Sequence, residues 1–317
     1  MGERINPTLK TIDPKLFKPV PHDDNKERIT RPTIGYWADV FRRLKQNKLA
    51  MLGLIVIILL LIVAFVGPSL VGHDYSTQDW QNINVRPNDQ YVFGTDDLGR
   101  DLFTRVCYGI RYSLLIGILA AAMDFIIGVT YGGIAGMASS RVDNIMMRIA
   151  EVVYAIPYML IVILISVTFS GEQGASLLTL VFAMSITGWV PMAILVRGQV
   201  LQLRESEYSL AARSLGGDKT YILTRHIIPN TLGPILVNVT LSVPRAIFSE
   251  ATLSFMSLGL QPPQPSLGVL CNNALGVLGI NLYYQLFFPA LAISLIMFSF
   301  NVLGDGLRDA LDPRLRK

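Results

Sequence analysis

Long uncharged runs recur along this chain, and nothing else in it limits the fold so tightly. An apolar stretch of roughly 18 residues is long enough to cross a lipid core about 30 Å thick. Leu49–Val71 and Ser176–Val196 are such runs, and neither alternates with a period of two. A membrane β-barrel would show alternating segments of about ten residues, so only helices fit. The composition supports the same conclusion. Of 317 residues, 51% are hydrophobic and 16% charged, against about a quarter charged in soluble domains. Eleven Lys/Arg and six Asp/Glu lie before Leu49, which leaves the remainder too apolar to dissolve as one globule. The fold class expected is all-α integral membrane, with six transmembrane helices.

Charge signs give the expected topology, because cationic loops stay on the cytoplasmic side. The segment 1–48 is polar and basic, ending in Arg42, Arg43, Lys45 and Lys48. It lacks the short basic start and early apolar core of a signal peptide. The first transmembrane helix is expected over 49–71, followed by an external segment over 72–105 that carries Asp74, Asp79, Asp89, Asp96, Asp97 and Asp101. Five further spans make up a core over 106–305. Span two is expected at Tyr112–Ala138, three at Ile149–Phe169 with a kink at Pro157, and four at Ser176–Val196. Span five follows Pro229 to about Thr252, and six covers Gln285–Val302. A basic inner loop, 203–228, separates spans four and five, and a tail, 306–317, returns to the cytoplasm. No Lys or Arg occurs between Arg245 and Arg308, consistent with an external excursion at 257–284. In span two, Gly128, Gly132 and Gly136 recur every fourth residue, the pattern of a packing seam where two helix backbones approach.

The inner loop reads Glu207-Tyr-Ser-Leu-Ala-Ala-Arg-Ser-Leu-Gly216, with the next proline at Pro229. Tyr208, Ala211, Ala212 and Leu215 share a helical face, so a short helix is expected that stops at Gly216, where glycine admits a left-handed turn. Pro229 suits the first turn of the helix that re-enters the membrane. The small Ala211 and Ala212 would let this helix lie close against another protein.

Ala211-Ala212, Gly216 and Pro229 at these intervals resemble the EAA loop of permease subunits in ABC importers, although Leu210 replaces the acidic residue of the triplet. Further blocks point to the peptide and nickel branch, specifically its C-type permease subunit. They include Phe93-Gly-Thr-Asp-Asp-Leu-Gly-Arg-Asp101, Tyr108-Gly-Ile-Arg-Tyr-Ser113, Arg225-His-Ile-Ile-Pro-Asn230, Glu250-Ala-Thr-Leu-Ser-Phe255, Gly259-Leu-Gln-Pro-Pro-Gln-Pro265 and the Leu303–Pro313 stretch. The resemblance covers roughly 45–316.

It implies the type I ABC importer permease fold with a cytoplasmic coupling helix, in the bacterial cytoplasmic membrane, both termini inside. It implies as partners a second homologous permease, two cytoplasmic ATPases that bind the ATP and Mg, and an extracytoplasmic binding protein that docks near the acidic block 93–101. Glu207, Tyr208, Ala211, Ala212, Leu215, Gly216 and Pro229 would carry ATPase coupling. Peptides are the implied cargo, oligopeptides ahead of dipeptides, with nickel complexes as the runner-up.

Other chemistries lack their motifs. ATP hydrolysis needs G-x-x-x-x-G-K-[ST], and in Gly216-Gly-Asp-Lys-Thr220 an aspartate occupies the glycine position. No catalytic residue, metal site or cofactor is expected in the chain. His22, His73 and His226 lie in different loops, Cys107 and Cys271 have no C-x-x-C spacing, and the basic balance follows from topology, not nucleic acid. An ion-coupled secondary transporter is disfavoured because spans one to three and four to six show no repeat. Asp124, Arg245 and Glu250 fall inside spans, where a charge costs about 2.5–3.5 kcal/mol. Either they line a path for a zwitterionic substrate, or they satisfy one another, Arg245 with Glu250 on one helix and Asp124 with a neighbouring span.

Overall fold

The computed structural model describes residues 35–169, 176–261 and 263–311. The turn expected at Gly171–Ala175, residues 1–34 of the basic segment and 312–317 of the tail, with Arg314, Arg316 and Lys317, lie outside the described residues. The chain divides into two units, Met1–Asp39 and Val40–Lys317. In the first, the rings of Tyr36 and Trp37 meet edge to face at 5.3 Å.

Helix α1 covers Tyr36–Gln46, and Asn47 caps the next helix, α2 (Lys48–Val71), by accepting from the Ala50 amide. Within α2 only Ala50, Gly53, Ala64 and Gly67 are buried. The helix therefore meets its neighbours through its smallest side chains, and a Cβ at Gly53 would stand 2.7 Å from the Ser299 carbonyl. Pro68 has no N–H for the carbonyl four residues back. That carbonyl, of Ala64, accepts instead from Arg111 Nε at 2.6 Å. The Arg111 guanidinium lies over the rings of Phe65 and Tyr108, at 4.7 and 4.2 Å.

Helix α3, Leu102–Met137, begins ten residues before the expected start of span two, inside the segment read as external. The cause is Asp101, whose carboxylate accepts from the Thr104 amide and caps the helix there. At 36 residues and about 1.5 Å per residue, α3 outreaches the lipid core. The single kinked span expected at Ile149–Phe169 is instead two helices, α4 (Ser140–Ala155) and α5 (Tyr158–Phe169), bent by 78°. Pro157 withholds an amide and forces Ile156 into an extended conformation, which ends the helix.

Helix α6, Leu177–Leu203, carries span four seven residues past Val196. After it come α7 (Glu207–Ser214) and α8 (Lys219–Ile222). A π turn at Leu223–Ile227 leads without a break into α9 (Ile228–Phe255), and Pro229 stands in the first turn of α9 as expected. The wider π turn tolerates the missing amide, and the Asn230 side chain donates to the His226 carbonyl at 2.6 Å. The stretch expected to be an external excursion contains α10 (Leu267–Leu275) and a short 3-10 turn. The last helix, α11 (Tyr284–Leu311), runs through half of what was expected to be tail. Among the described residues five helices are long and apolar enough to cross a membrane, six if the bent α4–α5 pair is one span.

The α3–α6 interface is the glycine seam. A Cβ at Gly128 would lie 2.6 Å from Met192, one at Gly136 2.7 Å from Val200, and one at Gly132 would overlap the Ala193 carbonyl. Bare backbone at these positions allows the close approach on which helix association in lipid depends. A second apolar core joins α2, α3, α9, α10 and α11 around Leu102, Ile110, Ile247, Leu267 and Ile296. A third collects Met192, Val200, Ile222, Ile227 and Ile235 beneath α7 to α9.

Candidate functional site

Three regions contain the residues singled out by the sequence: the segment between α6 and α9, the membrane-level charges, and the acidic loop before α3.

In the first, α7 is tied to the end of α6 by hydroxyls. Ser209, buried, donates to the Leu203 carbonyl at 2.8 Å, and Ser206 does so at 2.6 Å. The opposite end closes in a Schellman motif. The Gly217 amide reaches the Ala212 carbonyl at 2.9 Å, the Gly216 amide reaches Arg213 at 3.0 Å, and Gly216 stands at φ +88°. The Ala211, Ala212 and Arg213 carbonyls at that end are thus satisfied locally. The expected apolar face divides: Ala212 packs inward against the core, whereas Tyr208, Ala211 and Leu215 are exposed, Leu215 at 89%. Glu207 and Pro229 are exposed as well. Upstream, Arg204 donates to the Gly136 carbonyl at the end of α3, and Arg197 grips Asp143 of α4 with two bonds of 2.5 and 2.6 Å. This bidentate pair escaped the sequence reading, since the partners are 54 residues apart.

At membrane level the expected pairing of Arg245 with Glu250 is absent. Glu250 is fully buried, and its carboxylate accepts from Ser113 at 3.1 Å and Ser254 at 2.6 Å. Ser254 contacts Ser266 at 3.3 Å, and Ser113 accepts from the Leu267 amide. One acid therefore joins α3, α9 and the start of α10 through hydroxyls. Five residues of helix turn Arg245 well away from Glu250, whereas Ser254, four residues on, shares its face. That spacing was the available signal for the serine.

Arg245 is exposed and forms no ion pair among the described residues. It borders a cavity of about 300 Å³ between α3, α5, α6 and α9, and Asp124 borders the same cavity. The Asp124 Oδ1 is shielded from solvent and has no hydrogen-bond partner. The niche exists because residue 188 is glycine: a Cβ there would stand 2.5 Å from Asp124 Oδ1. On α9 the lining continues through Asn238, Ser242 and Ser249. Together with Arg245 these follow helical intervals of four, three and four, a polar stripe on an otherwise apolar helix that the sequence reading missed.

The acidic loop is a folded structure and not a patch of free charge. Asp96, buried, accepts from the Leu98 and Arg100 amides, each at 2.9 Å, and from Arg100 Nε at 2.7 Å. Arg105 Nε lies 3.4 Å away. Asp101 caps α3, and the Tyr284 hydroxyl donates into the loop at the Val85 and Thr95 carbonyls. Exposed acid remains at Asp74, Asp89 and Asp97, and the half-buried Asp79 is held below the usual carboxylate range by the Asn82 side-chain amide.

Comparison with known proteins adds the following. Residues 128–317 match the family model described as binding-protein-dependent transport system inner membrane component. Residues 35–87 match the N-terminal TM domain of oligopeptide transport permease C. The dipeptide transport system permease protein DppC of Bacillus subtilis (strain 168) is 49% identical over 291 residues, covering 92% of this chain and 90% of the relative. The oligopeptide transport system permease protein OppC of the same organism is 46% identical over 312 residues, 98% of this chain and 100% of the relative. OppC of Escherichia coli (strain K12) is 39% identical over 282 residues, 88% and 92%.

Proposed function

Because the chain belongs to the family of binding-protein-dependent transport system inner membrane components, we propose that it forms half of the transmembrane path of an ATP-driven peptide importer. It is a multi-pass membrane permease subunit of the ABC peptide-importer type. The second half is a homologous permease, the engine a pair of cytoplasmic ATPases that hold ATP and Mg, and the delivery vehicle an extracytoplasmic binding protein. Peptides are the cargo, since the relatives are named for dipeptide and oligopeptide transport. Oligopeptides come first, in keeping with the match at 35–87 and the end-to-end alignment with an oligopeptide permease.

One observation carries the coupling role. Helix α7 is tied to Leu203 by the Ser206 and Ser209 hydroxyls and closed at its far end by Gly216 and Gly217, yet keeps Tyr208, Ala211 and Leu215 uncovered. A helix so fastened to α6, and linked through α8 to α9, passes a push on its exposed side directly to two spans. The basic residues around it, Arg204, Arg213, Lys219 and Arg225, support a cytoplasmic position for the loop and both termini. The exposed acid of the loop before α3 then faces the binding protein.

The charges divide by their surroundings. Glu250, held by hydroxyls, is structural. Arg245 and Asp124 line the path, because an exposed Arg245 facing lipid would cost about 2.5–3.5 kcal/mol, and water or the partner permease removes that penalty.

Co-purification tests the assembly: a second permease and two ATPases should accompany this chain from membranes. Gly216→Leu tests the coupling. Nothing lies within 4 Å of the position a Cβ would take, so only the left-handed backbone is strained, at about 1–2 kcal/mol. The variant should insert and assemble normally while ATP-dependent peptide uptake collapses. Normal uptake would refute the coupling role.

A further inference from the structure

The cavity beside Asp124 combines features that a lipid-facing or purely packed helix interface would not keep. Its acid has no partner: Oδ1 is shielded and makes no hydrogen bond. A glycine at 188 leaves the carboxylate room that any side chain would fill. The opposite charge, Arg245, borders the same space, but among the described residues it forms no ion pair with Asp124. The Tyr158 and Ser249 hydroxyls lie in the same wall. The volume, about 300 Å³, reaches the lower end of the ~300–1,000 Å³ usual for ligand pockets. An uncompensated carboxylate in a low-dielectric wall favours a cation that arrives with donors of its own, and three N–H donors on an ammonium satisfy it.

We propose that this cavity is a transit subsite for the α-ammonium end of the peptide, with Asp124 as its counter-charge and Arg245 facing the carboxylate end. The proposal rests on the peptide-importer reading. It gives the path polarity, because the two ends of a zwitterionic chain meet opposite charges on different helices, α3 and α9. It also explains an arginine and an aspartate that share a cavity without closing on each other: a direct pair would leave no site.

The test uses the complete importer, with its binding protein, in lipid vesicles. The probe is tetra-alanine, whose only charges are its termini, together with a version carrying photo-leucine at its first residue. Upon illumination during turnover, the adduct should form on cavity residues such as Met184 or Tyr158. In Asp124→Asn, both this adduct and tetra-alanine uptake should fall roughly tenfold. Asp124→Glu, which keeps the charge, should recover most of the loss. Gly188→Ala, which keeps Asp124 but fills its niche, should reproduce it. Co-purification of all subunits with each variant ensures that assembly is intact. Uptake by Asp124→Asn within twofold of the parent, a glutamate variant as impaired as the asparagine one, or adducts confined to sites outside the cavity would each overturn the proposal. Absence of ATP-dependent tetra-alanine uptake by the parent would instead remove the importer reading on which it rests.

Discussion

Asp124 and Glu250 both lie on long apolar helices, α3 and α9, and their surroundings could hardly differ more. Glu250 is enclosed by Ser113 and Ser254, with Ser266 and the Leu267 amide behind them, so every element it touches is fixed by it. Asp124 is enclosed by a gap, a glycine and the ring of Tyr158, and its shielded oxygen is unbonded. The lesson is that the presence of a charge within a span says little by itself. What its polar atoms are bonded to separates a charge that holds the fold from one kept open for something else.

Substitutions can break or sharpen this contrast. The largest loss is expected for Glu250→Ala, which strands three hydroxyls and opens a hole where α3, α9 and α10 meet. Stability of the detergent-solubilised protein should drop by about 3 kcal/mol, read from thermal unfolding. Next is Gly132→Val on the α3–α6 seam. Because the added side chain collides with the Ala193 backbone, which cannot swing aside as a side-chain tip can, about 2 kcal/mol should be lost. Asp124→Asn should change stability by less than about 0.5 kcal/mol, as no bond is removed. Arg245→Gln should be equally mild in unfolding yet slow uptake of peptides with a free carboxylate. If Asp124→Asn unfolded the protein as readily as Glu250→Ala, the distinction between the two acids would vanish.

Much of the fold was legible. The spans follow from uncharged runs, the seam from glycines every fourth residue, and the end of α7 from Gly216, since each of these signals is local. What failed was the location of helix ends and the partners of charges. Asp101 looked like one acid among six, but only its distance from the Thr104 amide made it a cap and drew α3 ten residues back. Pro157 was visible, yet a kink and a 78° break have the same sequence. Arg245 and Glu250 lie close along the chain, and that nearness suggested a bond. Their directions around the helix exclude it. Asp143 with Arg197, and Glu250 with Ser113, join residues 54 and 137 apart, and no local pattern reports such distances.

The long helices also differ in how readily each could enter a bilayer by itself. Most of α2 is uncovered apolar surface joined to the rest through four tiny residues, so it can commit to lipid as soon as it is synthesised. By contrast α9, the least apolar of the five long helices, carries Arg245, Glu250 and two internal prolines. Alone in hydrocarbon it would be a poor candidate for insertion. Apart from its own Ser254, its serine partners and cavity wall come from α3, α5 and α6, already synthesised, and from the start of α10, which follows. Biogenesis therefore has an order: the nascent chain must keep its early helices within reach until α9 emerges, and a defect in α3 would surface as a late segment rejected by the membrane.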